Sequence, residues 1–248
     1  LKQVFENGGA CAVICDKSKV ISGKPILIVR DTIKALSDLA AYVRRNSSYK
    51  VVAVTGSAGK TTTKNIISCV LKTKFRCYTS PKSFNNHIGV PLTILDAPAD
   101  TEILIAELGS NHPGEIEQLA RMIEPDIAVV TAIVPAHLEG FGSLDGIKAE
   151  KASIAKGLQP TGRFFITSDL ADYCTKQKTA FQTFAEFDNV KLSAFESTFE
   201  VEGVKAVLPL AGRANVSNAA AAWTVCKNLG ISADEFANAV ATIKPVDM

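Results

Sequence analysis

Continuously apolar runs alternate with stretches of helical periodicity along most of the chain. Strands are predicted at 10–15, 25–29, 51–54, 102–108, 127–132 and 163–167. Helices are predicted at 32–45, 61–72, 114–123, 144–156, 214–228 and 232–242. Strand-then-helix alternation with unbroken apolar strands such as VVAV and IAVVTA predicts an α/β fold, a mostly parallel sheet with helices on both faces. Between 181 and 210 the pattern shortens to alternating β-rich segments, which predict a small antiparallel β extension with Gly203 at a hairpin turn. A short β-rich piece gives way near residue 30 to the helix that opens after Asp31, and this is the best internal boundary.

Composition narrows the classes without choosing one. A 47% hydrophobic chain of 248 residues can bury a sizeable core. A formal charge of +2 gives no global field for nucleic acid or an anionic membrane. The run 127–136 is too short for a membrane span and is broken by Thr131 and Pro135. The six cysteines are scattered, with Cys11 and Cys15 in the strand-like ACAVIC, so reduced thiols are the simpler reading over disulfides or zinc. The chain opens without Met and ends abruptly at IKPVDM, as expected of part of a longer sequence.

The strongest chemical signal is VVAVTGSAGKTTTK at 51–64. An apolar strand runs into Thr55, Gly56, Ser57, Ala58, Gly59, Lys60, Thr61 and Thr62, and a helix follows at once. Two glycines let backbone N–H groups turn inward around phosphate oxygens, and the helix start adds free donors. Lys60 is placed to reach the terminal phosphates and the Thr61 hydroxyl to ligate magnesium. Position 54, where the strict phosphate-loop pattern has glycine, is Val54. The strand before, the helix after and the GKTT tetrad favour nucleotide binding over an incidental lysine at a strand–helix corner.

Four other polar clusters carry two readings each. Asn85, Asn86 and His87 precede an apolar run at 88–95, and turn chemistry accounts for them by itself. Glu107 ends a buried strand, either as a magnesium ligand or as a solvated strand-end acid. His137 follows another strand end and is either a ligand or structural. Lys148 and Lys151 sit on the next helix, where Lys151 reads as one more surface lysine. Asn215 and Asn218, spaced i,i+3, could face one ligand, but helix capping is the simpler reading of their chemistry.

Together TGSAGKTT, NNHIGVPLTIL, ELGSNHPGEI and AHLEGFGSL resemble the Mur ligase superfamily, and within it the branch that joins D-alanyl-D-alanine to a UDP-N-acetylmuramoyl-tripeptide. The resemblance runs in order over residues 1–248. It implies a cytoplasmic, monomeric, ATP- and Mg2+-dependent amide-bond ligase of peptidoglycan precursor synthesis. It implies that residues 1–30 end a UDP-sugar domain, that 31–248 form the central ATP-binding domain, and that the carboxyl-terminal ligase domain is absent. Thr61, Glu107, His137 and a carbamylated Lys151 are then the expected magnesium ligands, with Lys60, Lys151 and His137 catalytic. Asn215 and Asn218 match adenine-contacting asparagines. Arg213 matches a further nucleotide position, and Asn85, Asn86, Asn111 and His112 match substrate-side positions. Ala214 stands where these ligases usually carry histidine, and Thr167-Ser168-Asp169 replaces an asparagine-containing turn. Two alternatives remain at this stage: a related ligase such as a folylpolyglutamate synthetase, disfavoured by ELGSNHPGEI, and a catalytically silent ATP-binding module.

Overall fold

The computed structural model describes residues 5–6, 8, 11–14, 17–81, 84–135 and 138–244. The first elements are short. β1 (Ala12–Ile14) and β2 (Ile26–Ile28) pair in parallel with each other, and among the described residues with no other strand, in place of the longer runs 10–15 and 25–29; Cys15 lies outside the described residues. α1 (Thr32–Arg45) then opens where Asp31 accepts the backbone N–H groups of Ile33 at 2.8 Å and Lys34 at 3.0 Å, a side-chain N-cap.

The main body is a β/α succession: β3 (Lys50–Thr55), α2 (Lys60–Leu71), β4 (Cys77–Thr79), α3 (Gly89–Leu95), β5 (Ile103–Glu107), α4 (Glu115–Ile123) and β6 (Ile127–Val130). It continues through α5 (Leu138–Phe141), α6 (Leu144–Ala152), β7 (Arg163–Ile166), α7 (Ala171–Lys176) and β8 (Gln182–Thr183). The six strands β3 to β8 form one sheet in the order β4-β5-β3-β6-β7-β8, and every pairing is parallel. The expected α/β architecture is present.

Side chains alternate across the sheet. Val52 and Val54 of β3 join a core with α2, α8 (Arg213–Asn228) and α9 (Ala233–Val240), whereas Val51 and Ala53 join a second core with α1, α3, α4 and α6. Helices therefore cover both faces. β9 (Asp188–Leu192), β10 (Ser197–Val201) and β11 (Val204–Leu208) form the antiparallel extension, which packs Phe199, Val201 and Leu208 into the first core. Glu202 and Gly203, both at positive φ, make the two-residue turn of the β10–β11 hairpin.

The differences from the sequence pattern are local. The antiparallel segment begins at 188, because β8 joins the main sheet in parallel beside β7. The predicted strand 127–132 ends at Val130, where the backbone turns to brace the preceding loop. The predicted helix 144–156 closes at Ala152 and tightens into a 3-10 turn over Ser153–Gly157. No helix among the described residues is long and apolar enough to cross a membrane.

Candidate functional site

β3 stands between β5 and β6, and the chain leaves it in one direction and returns on the other side. Such a reversal opens a crevice at the carboxyl ends of the strands. The phosphate loop lies there. Gly56 and Gly59 adopt φ of 148° and 79°, and Gly59 begins α2 without a side-chain cap, which leaves the first amides of that helix for a ligand. The loop is braced from behind: Ser57 donates its N–H to the Ala132 carbonyl at 2.7 Å, and the Thr131 hydroxyl donates to the Ala58 carbonyl at 2.5 Å. A Cβ on Gly56 would lie 2.2 Å from that hydroxyl, so only glycine fits. Ala58 and Thr62 complete the loop and the first turn of α2. Thr55 donates its hydroxyl to the Leu108 carbonyl at 2.8 Å and so ties β3 to β5 rather than facing a ligand.

Lys60 folds back on its own loop, donating from Nζ to the Gly56 carbonyl at 3.0 Å. Burial lowers its pKa and Glu107 opposes the shift. Thr61 donates its hydroxyl to Glu107 Oε2 at 2.8 Å, and Asn85 donates from Nδ2 to Glu107 Oε1 at 3.0 Å. Glu107 is 1% exposed, so it is no solvated strand-end acid. The asparagine pair divides its labour. Asn86 does the turn chemistry by accepting the N–H groups of Ile88 and Gly89, while Asn85 reaches the carboxylate.

Lys151 departs from its reading as one more surface lysine. It is buried rather than on the surface, donates from Nζ to the Ser110 hydroxyl at 2.8 Å, and lies 5.5 Å from the Phe141 ring centre. Burial first, then the neighbouring Lys60 charge, pulls its pKa to about 8, against the pull of Glu150 and Glu115. A buried amine of that kind is poised to lose its proton.

The α8 asparagines are not caps. Gly212 is the N-cap residue, and Asn215 and Asn218 sit inside the helix. Asn218 accepts from the Thr63 hydroxyl at 3.3 Å and donates to Asn215 Oδ1 at 3.4 Å. A Cβ on Gly59 would fall 2.2 Å from Asn218 Oδ1, so this asparagine abuts the phosphate loop. Arg213 and Ala214 are exposed at the start of α8. His137 lies outside the described residues.

A cleft of about 770 Å³ runs from Lys60 past Asn85, Asn86 and His87 to Asn111 and His112. The His112 ring is held 3.1 Å from Glu115, whose other oxygen accepts the Asn111 N–H at 2.7 Å. Sequence reasoning passed over several of these partners. Lys64, fully buried, sits 3.7 Å from Glu107 and donates to the Ser80 carbonyl; its i+4 spacing from Lys60 was the available signal. Ser110 and Thr131 carried a weaker one, each a hydroxyl just beyond an apolar strand.

Two observations bear on a bound magnesium-nucleotide. The Ser57 hydroxyl is buried in the phosphate loop without a hydrogen-bond partner among the described residues. The Thr61 hydroxyl and Glu107 carboxylate, both hard oxygen donors, already touch. The residues present fit the group. No three His, Cys, Asp or Glu gather as a metal site among the described residues.

The family model for the Mur ligase middle domain matches residues 54–226. A UDP-N-acetylmuramoyl-tripeptide–D-alanyl-D-alanine ligase of Bacillus subtilis is 35% identical across the whole chain, which spans 56% of that relative's length. The crystal structure of MurF from Acinetobacter baumannii superposes with a TM-score of 0.86 at 30% identity, covering 99% of this chain and 57% of that one. The Thermotoga maritima MurF ligase in complex with ADP gives 0.84 at 28% identity, covering 99% and 60%. The chain thus spans somewhat over half the length of these relatives. With the family model matched over most of its length, the chain belongs to the Mur ligase middle-domain family.

Proposed function

We propose that this chain is the ATP-binding core of a ligase that joins D-alanyl-D-alanine to a UDP-N-acetylmuramoyl-tripeptide during peptidoglycan precursor synthesis. The observation that carries the reading is the contact between Thr61 and Glu107 at 2.8 Å beside Lys60, at the carboxyl ends of neighbouring strands. The similarity to named ligases of that activity supports the substrate pair. In this reading residues 1–30 close a UDP-sugar domain, 31–248 form the ATP-binding domain, and none is assigned to the amine-binding domain. The enzyme works as a monomer in the cytoplasm, where ATP is at hand and its thiols stay reduced.

The chemistry is a two-step ligation. A carboxylate oxygen of the tripeptide attacks the γ-phosphorus and ADP leaves; the neutral amine of D-alanyl-D-alanine then attacks the acyl carbon, phosphate leaves and the nitrogen gives up one proton to solvent. The chain contributes position and charge, since phosphoryl transfer needs little covalent help. Lys60 swings from the Gly56 carbonyl to the β- and γ-phosphates, and the α2 amides hold their oxygens. Thr61 and Glu107 would hold magnesium, which would supply charge compensation for the triphosphate. His137 and a carbamylated Lys151 would complete the ligand set. At a pKa of about 8, roughly a quarter of Lys151 is the neutral amine at pH 7.5, the form that adds carbon dioxide with loss of a proton. Asn218 and Asn215, with Arg213, receive the nucleoside side. Asn85, Asn86, Asn111 and His112 line the approach of the tripeptide.

The test begins with calorimetric titration of magnesium-ATP into the chain and its Lys60→Ala variant. Binding lost in the variant supports the site; equal binding by both overturns it. Phosphate and ADP release by the full-length ligase carrying this sequence, dependent on both substrates, separates the ligase from a silent nucleotide-binding module.

A further inference from the structure

α4 begins with a problem that its own sequence does not solve. Its N-cap is Gly114, at φ 89°, which has no side chain to accept the free amides of the first turn, and Pro113 before it has no N–H. Glu115 turns backward to take the amides of Asn111 and His112 at 2.7 and 3.2 Å. The amides of Gly114 and Ile116 are taken by another element: Glu150 of α6 accepts them at 2.6 and 2.9 Å through its two oxygens. Glu150 is 4% exposed, so the bidentate contact is sheltered from water.

The next residue of α6 is Lys151, whose Nζ donates to Ser110, at the opposite end of the same loop. Two adjacent side chains of one helix therefore grip one loop, Glu150 by its backbone and Lys151 by a hydroxyl. We propose that Glu150 is a positioning residue that locks the 110–116 loop onto α6 and thereby fixes where Lys151 and the cleft-lining Asn111 and His112 stand. The same contacts have a second consequence. A helix start facing a cleft is ordinarily an anion site, and here the Glu150 carboxylate already takes two of its amides.

The inference rests on the reading that Lys151 serves the ligation, and the test separates the two. In the 248-residue chain, amide hydrogen exchange and acetic-anhydride labelling of Lys151 are compared for the native sequence, Glu150→Ala, Glu150→Gln and Ser110→Ala. Glu150→Ala should speed exchange at Gly114 and Ile116 by about tenfold or more, and raise Lys151 labelling with it. Ser110→Ala should raise the labelling and leave those amides protected. Where Glu150→Ala fails to fold, Glu150→Gln carries the test, since one oxygen remains and one of the two amides should stay protected. Opened amides with unchanged labelling of Lys151 overturn the proposal. In the full-length ligase, Glu150→Ala should lower kcat by roughly 10- to 100-fold with KM for ATP unchanged, and an unaltered kcat overturns the positioning role. A native ligase without substrate-dependent ADP release overturns the functional reading alone and leaves the exchange and labelling results standing.

Discussion

Lys151 carries its charge at a cost, and the sign of that cost can be measured. Its pKa falls from 10.5 to about 8 in the folded chain because burial disfavours the ammonium form. Between those values the unfolded chain binds more protons than the folded one, so the contribution of Lys151 to stability rises with pH across that window. Below pH 8 the penalty is fully present. Lys151→Met should therefore be compared with the native chain by urea denaturation from pH 7 to 10. The stability difference should shift in favour of the native chain by on the order of 2 kcal/mol as the window is crossed. Taking the difference cancels the other lysines that titrate there, and a pH-independent difference would show the amine to be solvated. At the same scale, Gly59→Ala places a Cβ against Asn218 Oδ1 and forces alanine into left-handed backbone. A loss of about 1–3 kcal/mol in thermal melts is expected, with partial recovery when Asn218→Ala removes the clash but not the strain. Thr61 and Glu107 could be singled out as candidates because strand end, glycine loop and helix start are local patterns, whereas their contact joins residues far apart in the chain. The burial of Lys151 was not legible, because its cover comes from Ser110 and Phe141, each fixed by a different element.

Elements are joined by a few buried polar anchors, of which Arg44 is the clearest. It ends α1, yet its guanidinium donates to the carbonyls of Ile123 at 2.7 Å and Glu124 at 2.8 Å, and so closes the carboxyl end of α4. It also donates to the Tyr49 carbonyl and pairs with Asp126 at 3.2 Å, the residue that receives the N–H of Val51 at the start of β3. One side chain thus registers two helices on the central strand. Arg44→Ala should lower stability by about 3 kcal/mol, because it strands buried carbonyls, and Arg44→Lys should recover little for want of the planar fork. A shifted urea midpoint at constant slope is the expected signature; an unshifted one would remove Arg44 from this role. The reach of sequence at this scale follows from length. Strands β3, β5, β6 and β7 were legible because both faces are covered and the apolar run is continuous. β4 (CYT) and β8 (QT) were not, since so short an edge segment becomes a strand only through its neighbour.

At the scale of the molecule the site draws on both helical layers. Lys60 and Asn218 belong to the layer of α2 and α8, Lys151 to that of α6, and Glu107 to the sheet between them. A ligand that engages all of them bolts one layer to the other across the carboxyl ends of the strands, and binding energy becomes folding energy. Magnesium-ATP at about 100 times its dissociation constant should stabilise the chain by about 2.7 kcal/mol, seen as a higher melting temperature. Lys60→Ala should lose that shift. Its own melting temperature without nucleotide should equal or exceed the native value, because the lysine is held partly desolvated: it donates to the loop carbonyl of Gly56, and the Glu107 charge offsets only part of the cost of burial. A functional group kept at a cost to the empty fold leaves this signature of gained stability with lost ligand response. A Lys60→Ala chain that melts well below the native one without nucleotide would instead make the lysine part of the scaffold, and the phosphate loop would need another cation.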